Sequence, residues 1–257
     1  RKAFEIISQQ NLKHQPILLD GVTGSGKTEV YMQLIKEKLC LGKQCLIMVP
    51  EIALTPDWEQ RFFQRFGFTC HVWHSQIPLS QRKIIWHKAI QGEPLVVVGA
   101  RSSVFLPFTK LGLIVVDEEH DPSYKQDDSP VYQARDMAIL RAHFEKTQII
   151  LSSATPSLES WWHALQNKYL HVPLVNRFGK AHLPSIEVSD LRQTKAAPSH
   201  EGVFLSQALL EQMQFTLQKQ EQVLLFLNRR GYAPTGTGPF ASVVGVPRQF
   251  AGPASGA

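Results

Sequence analysis

One eight-residue string constrains this 257-residue chain more than any other feature: Gly21-Val22-Thr23-Gly24-Ser25-Gly26-Lys27-Thr28. It fits the pattern G-x-x-x-x-G-K-[ST] and lies between an apolar run, Pro16–Leu19, and a helix-patterned stretch, Thr28–Leu39. Such a loop wraps backbone N–H groups around phosphates, and it needs glycines where a Cβ would collide. The helix that follows aims the positive end of its dipole at the same phosphates. Lys27 is expected to reach the β- and γ-phosphates of ATP, and the Thr28 hydroxyl to ligate Mg²⁺. A glycine-rich turn without ligand is the plain alternative, and it leaves the match at every fixed position and on both flanks unaccounted for.

The strand–loop–helix context fixes the fold class, and the rest of the chain agrees with it. Short apolar runs at Gln44–Val49, Thr69–Trp73, Leu95–Val98, Leu113–Val116 and Gln148–Leu151 alternate with helical patterns. Those helices are expected at Pro56–Phe66, Ser80–Gln91, Tyr132–Phe144 and Pro156–Gln166. Alternation of this kind predicts an α/β fold with a parallel sheet and helices on both faces. The strands are near-continuous in Val, Ile and Leu, as strands buried on both faces must be. At 43% hydrophobic and 19% charged, the composition is that of an ordinary globular protein. No apolar run approaches the ~20 residues of a membrane helix, so no membrane partner is expected. Cys40, Cys45 and Cys70 lack C-x-x-C spacing and suit buried positions in a reducing cytoplasm. A net charge of +5 is compatible with a nucleic-acid partner without requiring one.

A second chemical signal follows the run Leu113–Val116: Asp117-Glu118-Glu119-His120. A carboxylate there falls at the ligand-binding edge of an open α/β sheet, beside the glycine loop. Asp117 is expected to hold Mg²⁺, through water, and Glu118 to orient and deprotonate an attacking water. A solvated acidic turn is the bland alternative for this cluster taken alone.

Six strings occur in order: GVTGSGKTEVY, VPEIALTP (Val49–Pro56), GARSSVFLPF (Gly99–Phe108), DEEHDPSYKQ (Asp117–Gln126), SSATPSLES (Ser152–Ser160) and FLNRRGYAP (Phe226–Pro234). Together they resemble the superfamily 2 DExH helicases and, within them, the bacterial replication-restart helicases of the primosome. The resemblance runs from Arg1 to Thr235. It implies a RecA-like P-loop NTPase lobe that couples Mg²⁺-dependent ATP hydrolysis to movement on single-stranded or forked DNA. Primosome proteins and single-stranded-DNA-binding protein are the partners it implies. His120 and Ser153-Ala154-Thr155 match positions that couple nucleotide state to lobe movement. The competing role for the hydroxyls is capping, with Thr155 as N-cap and Pro156 as the first helical residue. Thr55, Arg101, Ser102 and Ser103 match DNA-tracking motifs, although each also suits an ordinary cap. Between Asp121 and Arg135, the residues Tyr124, Lys125, Tyr132 and Arg135 suit base stacking with phosphate neutralisation. The resemblance implies an aromatic-rich loop here that links DNA binding to hydrolysis. Pro130-Val131 departs from its pattern, and tyrosines packed on the lobe surface are the alternative.

The resemblance also organises the rest of the chain. Residues 1–174 are expected to form the first helicase lobe, 175–204 a linker, and 205–235 the start of a truncated second lobe. In that start, a helix is predicted at Ser206–Lys219 and a strand at Gln222–Leu227. Residues 236–257 carry five Gly, three Pro, four Ala and one charge, Arg248, and read as a disordered or non-native tail. The first residue is Arg1, which reads as a start partway through a longer protein. Zinc is implied for the intact family but finds no support here, since no cysteine follows Cys70. The arginine that the family's second lobe supplies is also missing, so weak binding and poor hydrolysis of ATP are expected. Three other readings are a small-molecule P-loop kinase, a GTPase and a non-catalytic ATP- or DNA-binding module. The kinase leaves the later strings unexplained, and the GTPase lacks N-K-x-D, since Asn167-Lys168 is followed by Tyr169-Leu170. The non-catalytic module differs only in lacking turnover that needs Glu118.

Overall fold

Among the described residues, seven strands pair side by side, all parallel, in the order β3-β4-β2-β5-β8-β1-β9. They are β1 (Ile17–Gly21), β2 (Gln44–Met48), β3 (His71–Trp73), β4 (Leu95–Gly99), β5 (Leu111–Asp117), β8 (Gln148–Ser153) and β9 (Leu170–Leu174). Two further strands, β6 (Lys125–Gln126) and β7 (Tyr132–Gln133), form a small antiparallel pair. The helices are α1 (Lys2–Gln9), α2 (Lys27–Cys40), α3 (Pro56–Phe66), α4 (Leu79–Gln91), α5 (Ala134–Glu145), α6 (Leu158–Leu165) and α7 (Gln207–Gln218). The computed structural model describes residues 2–9, 15–50, 56–175, 177, 185–188 and 206–225.

Because side chains alternate across a strand, each central strand feeds two cores. Leu18, Leu46, Met48, Ile114, Val116 and Leu151 pack toward α4, α5 and α6, through Ile85, Ala138 and Ala164. Ile17, Leu19, Ile47, Leu113, Val115 and Ile150 pack toward α1, α2 and α3, through Ile7, Leu34 and Phe62. Strands covered on both faces are buried at every position, as β2 and β4 are, with Gln44 their one polar side chain.

The chain divides into two units, residues 1–182 and 183–257. The sheet belongs to the first. In the second, α7 is capped by Ser206, whose side chain accepts the Leu209 N–H. Among its other described residues, 222–225 form no strand, so the expectation of one at Gln222–Leu227 fails for its described part. The sequence reading also passed over α1 and β9. In β9, Pro173 cannot donate to a ladder, which hides the strand pattern, yet the strand sits at the sheet's edge where that is tolerated.

Other boundaries moved for local reasons. The helix expected from Tyr132 begins at Ala134, because Tyr132 and Gln133 pair with Gln126 and Lys125 instead. The helix after Ser152–Ser153 begins at Leu158 rather than Pro156. Its N-cap is Ser157, whose hydroxyl accepts the Ser160 N–H, so Thr155 does not cap it.

Leu46 lies fully buried in β2 between two strands. Leu46→Ala is expected to lower unfolding free energy by about 3 kcal/mol. Urea denaturation followed by circular dichroism measures this, and a loss below about 1 kcal/mol contradicts the central position.

Candidate nucleotide-binding and hydrolysis site

The strand order puts three carboxyl ends in a row: β1, β8 and β5. The register aligns Leu19 with Ser152, and Ser152 with Asp117, so the glycine loop and the acidic turn flank the end of β8. Asp117 continues the alternation of Leu113 and Val115, and so faces α2.

At the loop itself, Gly24 and Gly26 adopt φ of 78° and 89°, a left-handed conformation that side chains disfavour. Gly21 meets a different limit, because a Cβ there would stand 2.6 Å from Ser25 Oγ and 2.8 Å from Leu174 Cβ. No side chain caps α2 at Gly26, and the buried Ser25 hydroxyl lacks a partner among the described residues. Open helix N–H groups and an unpaired hydroxyl fit a phosphate group. Lys27 is buried, and its Nζ donates to the Gly21 carbonyl at 2.5 Å.

Asp117 is gripped on both carboxylate oxygens. The Tyr31 hydroxyl donates to Oδ2 at 3.0 Å, and the Ser152 hydroxyl donates to Oδ1 at 2.9 Å. Its own carbonyl accepts the Tyr124 hydroxyl at 2.6 Å. Glu118 has a φ of 47°, which is uncommon for a residue with a side chain and ends the strand abruptly. Burial and the neighbouring Asp117 charge raise the Glu118 pKa above its ordinary value. Lys27, His120 and the Ala154 N–H oppose that rise without cancelling it.

The segment after β8 closes over this turn. His120 Nδ1 lies 2.7 Å from Ser153 Oγ and 3.6 Å from Glu118 Oε2, while Nε2 lies 3.4 Å from Thr155 Oγ1. The Thr155 N–H donates to Ser153 Oγ at 3.0 Å. The structure thus brings Glu118, His120, Ser153, Ala154 and Thr155 into one polar cluster.

Sequence reasoning gave no role to Glu119, which is fully buried. Its carboxylate accepts from Arg135 Nη1 (3.1 Å), the Ser157 N–H (2.7 Å), the Ser157 hydroxyl (3.0 Å) and the Ser160 hydroxyl (2.9 Å). Arg135 is therefore an internal counter-ion and not a surface cation for nucleic acid. Tyr31 and Ser152 were also passed over; the one available signal was Tyr31's place one helical turn after Lys27.

Of the residues read as DNA contacts, the structure separates two groups. Ser103 is fully buried and donates to the Ala100 carbonyl at 2.6 Å, and Tyr124 is fully buried against Asp117. The structure places both side chains inside the fold, each held by a hydrogen bond to a main-chain carbonyl. Arg101 lies close to Lys125 and Tyr132, and Ser102 is exposed next to it in the chain. Arg101 Nη1 donates to the Lys125 carbonyl at 3.0 Å, and Tyr132 meets the Phe105 ring edge-on at 5.1 Å. Lys125 pairs with Asp127 at 2.8 Å in the open. Thr55 lies outside the described residues.

Residues 1–161 match the DEAD/DEAH box helicase family. The chain belongs to that family. DEAD/DEAH box helicases use ATP and Mg²⁺, which accords with the loop and acidic turn meeting at one sheet edge. Relatives named "Replication restart protein PriA" include that of Rickettsia felis, 49% identical over 91% of this chain and 35% of the relative. Those of Haemophilus influenzae (48%, 84% of this chain, 29% of the relative) and Bacillus subtilis (42%, 91% and 29%) are similar. The chain spans about a third of the length of these relatives. A structure of RecG bound to a three-way DNA junction is similar over 70% of this chain and 24% of that one, at 23% identity and a TM-score of 0.49. Among the described residues, no helix is long and apolar enough to cross a membrane.

Arg135→Met leaves the Glu119 carboxylate buried without its counter-ion, and is expected to cost about 3–5 kcal/mol. Glu119→Gln with Arg135→Met together should cost less than Arg135→Met alone. Urea midpoints of the three variants test this, and a harmless single Arg135 variant contradicts the pairing.

Proposed function

We propose that this chain is the ATP-binding part of a DNA helicase of replication restart, coupling Mg²⁺-dependent ATP hydrolysis to movement on single-stranded or forked DNA. The observation that carries the reading is the meeting of Lys27, Glu118 and the Ser153–Thr155 segment at neighbouring strand ends. The names of the PriA relatives support its place in replication restart.

In this reading, residues Gly21 to Thr28 cradle the phosphates with backbone N–H groups. Lys27 exchanges its bond to the Gly21 carbonyl for one to a phosphate oxygen. The Thr28 hydroxyl and Asp117 hold Mg²⁺, which when bound offsets phosphate charge. Glu118 accepts a proton from the water whose oxygen attacks the γ-phosphorus, and ADP carries away the electrons of the broken P–O bond. His120, with Ser153, Ala154 and Thr155, registers whether Glu118 faces a phosphate, because that carboxylate and the His120 ring share the cluster. DNA runs across Arg101, Ser102, Lys125 and Tyr132, with Thr55 as a further contact. Residues 1–174 act as the first lobe, 175–204 as a linker and 205–235 as the opening of a second, followed by a tail at 236–257. Primosome proteins and single-stranded-DNA-binding protein are the partners, in the cytoplasm.

Lys27→Ala is expected to weaken binding of a fluorescent ATP analogue at least about tenfold, while Glu118→Gln keeps binding and loses turnover by about 10²-fold or more. Equal single-turnover rates in wild type and Glu118→Gln would overturn the assignment. The pH dependence has a definite sign. The base works only when unprotonated, so turnover falls as pH drops through the raised Glu118 pKa. That acid limb should lie higher than an unperturbed glutamate would put it. Turnover that does not fall toward acid pH contradicts Glu118 as the base.

A further inference from the structure

The P-loop helix and the acidic strand touch through a polar contact that no motif describes. Tyr31 sits on α2, one turn beyond Lys27 and Thr28, and its ring is fully buried in the core on that face of the sheet. A phenol enclosed in this way needs a partner for its hydroxyl. It donates to Asp117 Oδ2 at 3.0 Å. Ser152, aligned with Asp117 across the β5–β8 register, donates to Oδ1 at 2.9 Å. The Glu118 N–H adds a second donor to Oδ1 at 3.2 Å. Both oxygens are therefore fixed before any cation arrives, one from the helix that starts at the phosphate loop.

From this geometry we infer that Tyr31 is a positioning residue for Asp117, setting with Ser152 the carboxylate orientation that receives Mg²⁺. The inference rests on the nucleotide reading above. A carboxylate with one oxygen released can rotate about its Cβ–Cγ bond, and the cation must then pay to restore it. Hydrogen-bonding partners of metal ligands typically contribute 10- to 100-fold in metal affinity when removed. Tyr31→Phe deletes only the hydroxyl and keeps the ring that fills the core. A purely structural role would change stability and leave the response to metal untouched.

The experiment is a Mg²⁺ titration of N-methylanthraniloyl-ADP fluorescence on the full chain, with thermal melts run in parallel. Tyr31→Phe should bind the nucleotide as wild type does at saturating Mg²⁺, while its half-saturating Mg²⁺ concentration rises about tenfold. Ser152→Ala, which leaves the opposite oxygen only the longer bond from the Glu118 N–H, should shift the same way by a smaller factor. An unchanged half-saturation in a folded Tyr31→Phe overturns the inference. If Tyr31→Phe does not fold, Ser152→Ala decides: no shift there removes the two-sided grip and the inference falls. A wild type that binds the nucleotide without responding to Mg²⁺ sinks the metal assignment of Asp117 itself, a failure distinct from the first.

Discussion

The buried carboxylate of Glu119 holds the functional edge of this molecule together. It draws donors from two further segments, the first turn of α5 through Arg135 and the first turn of α6 through Ser157 and Ser160. Removing a carboxylate from water costs several kcal/mol, and only a full set of charged and neutral donors offsets that. With four donors, one of them a neutralising guanidinium, the acidic turn is tied to the segment that follows β8. The contacts of His120 with Ser153 and Thr155 depend on that fixed separation. Glu119 thus stands behind Glu118 and His120 as a brace, itself touching nothing that reacts.

Around this brace, two residues read as surface contacts turn out to be ties. Tyr124 runs inward and binds the Asp117 carbonyl, and Ser103 turns back on the Ala100 carbonyl. The loop between Asp121 and Gln133 is therefore anchored at the strand end that carries Asp117. What remains outward on that side is Lys125 and Tyr132, held beside Arg101 by a two-residue ladder and one guanidinium bond. The Tyr124 phenol links that surface directly to the strand end that carries the acidic turn.

Much of this was legible in the sequence, and the reasons are local. Gly21–Thr28 and Asp117–His120 announce themselves because their chemistry needs particular residue types at fixed spacing after apolar strands. The alternating strands and helices were equally plain, since strands covered on both faces have no polar phase to confuse them. What stayed hidden was non-local. Nothing near position 119 points to 135, 157 or 160, and nothing near 117 points to 31. The capping of α6 was misplaced for a subtler reason: Thr155-Pro156 has the favoured composition, but Ser153 Oγ takes the Thr155 N–H and leaves the cap to Ser157. The edge strand β9 was missed because Pro173 breaks its pattern.

That edge strand has a mechanical consequence. It pairs with β1 along its whole length, and its last residue, Leu174, lies so close to Gly21 that no Cβ could stand between them. The chain therefore leaves the sheet from against the first residue of the phosphate loop. A pull on the polypeptide beyond Leu174 is delivered to Gly21 through van der Waals contact and a backbone ladder, over the length of one residue. The loop and the exit of the chain form one load path, and the absence of a side chain at position 21 is what makes that path so short.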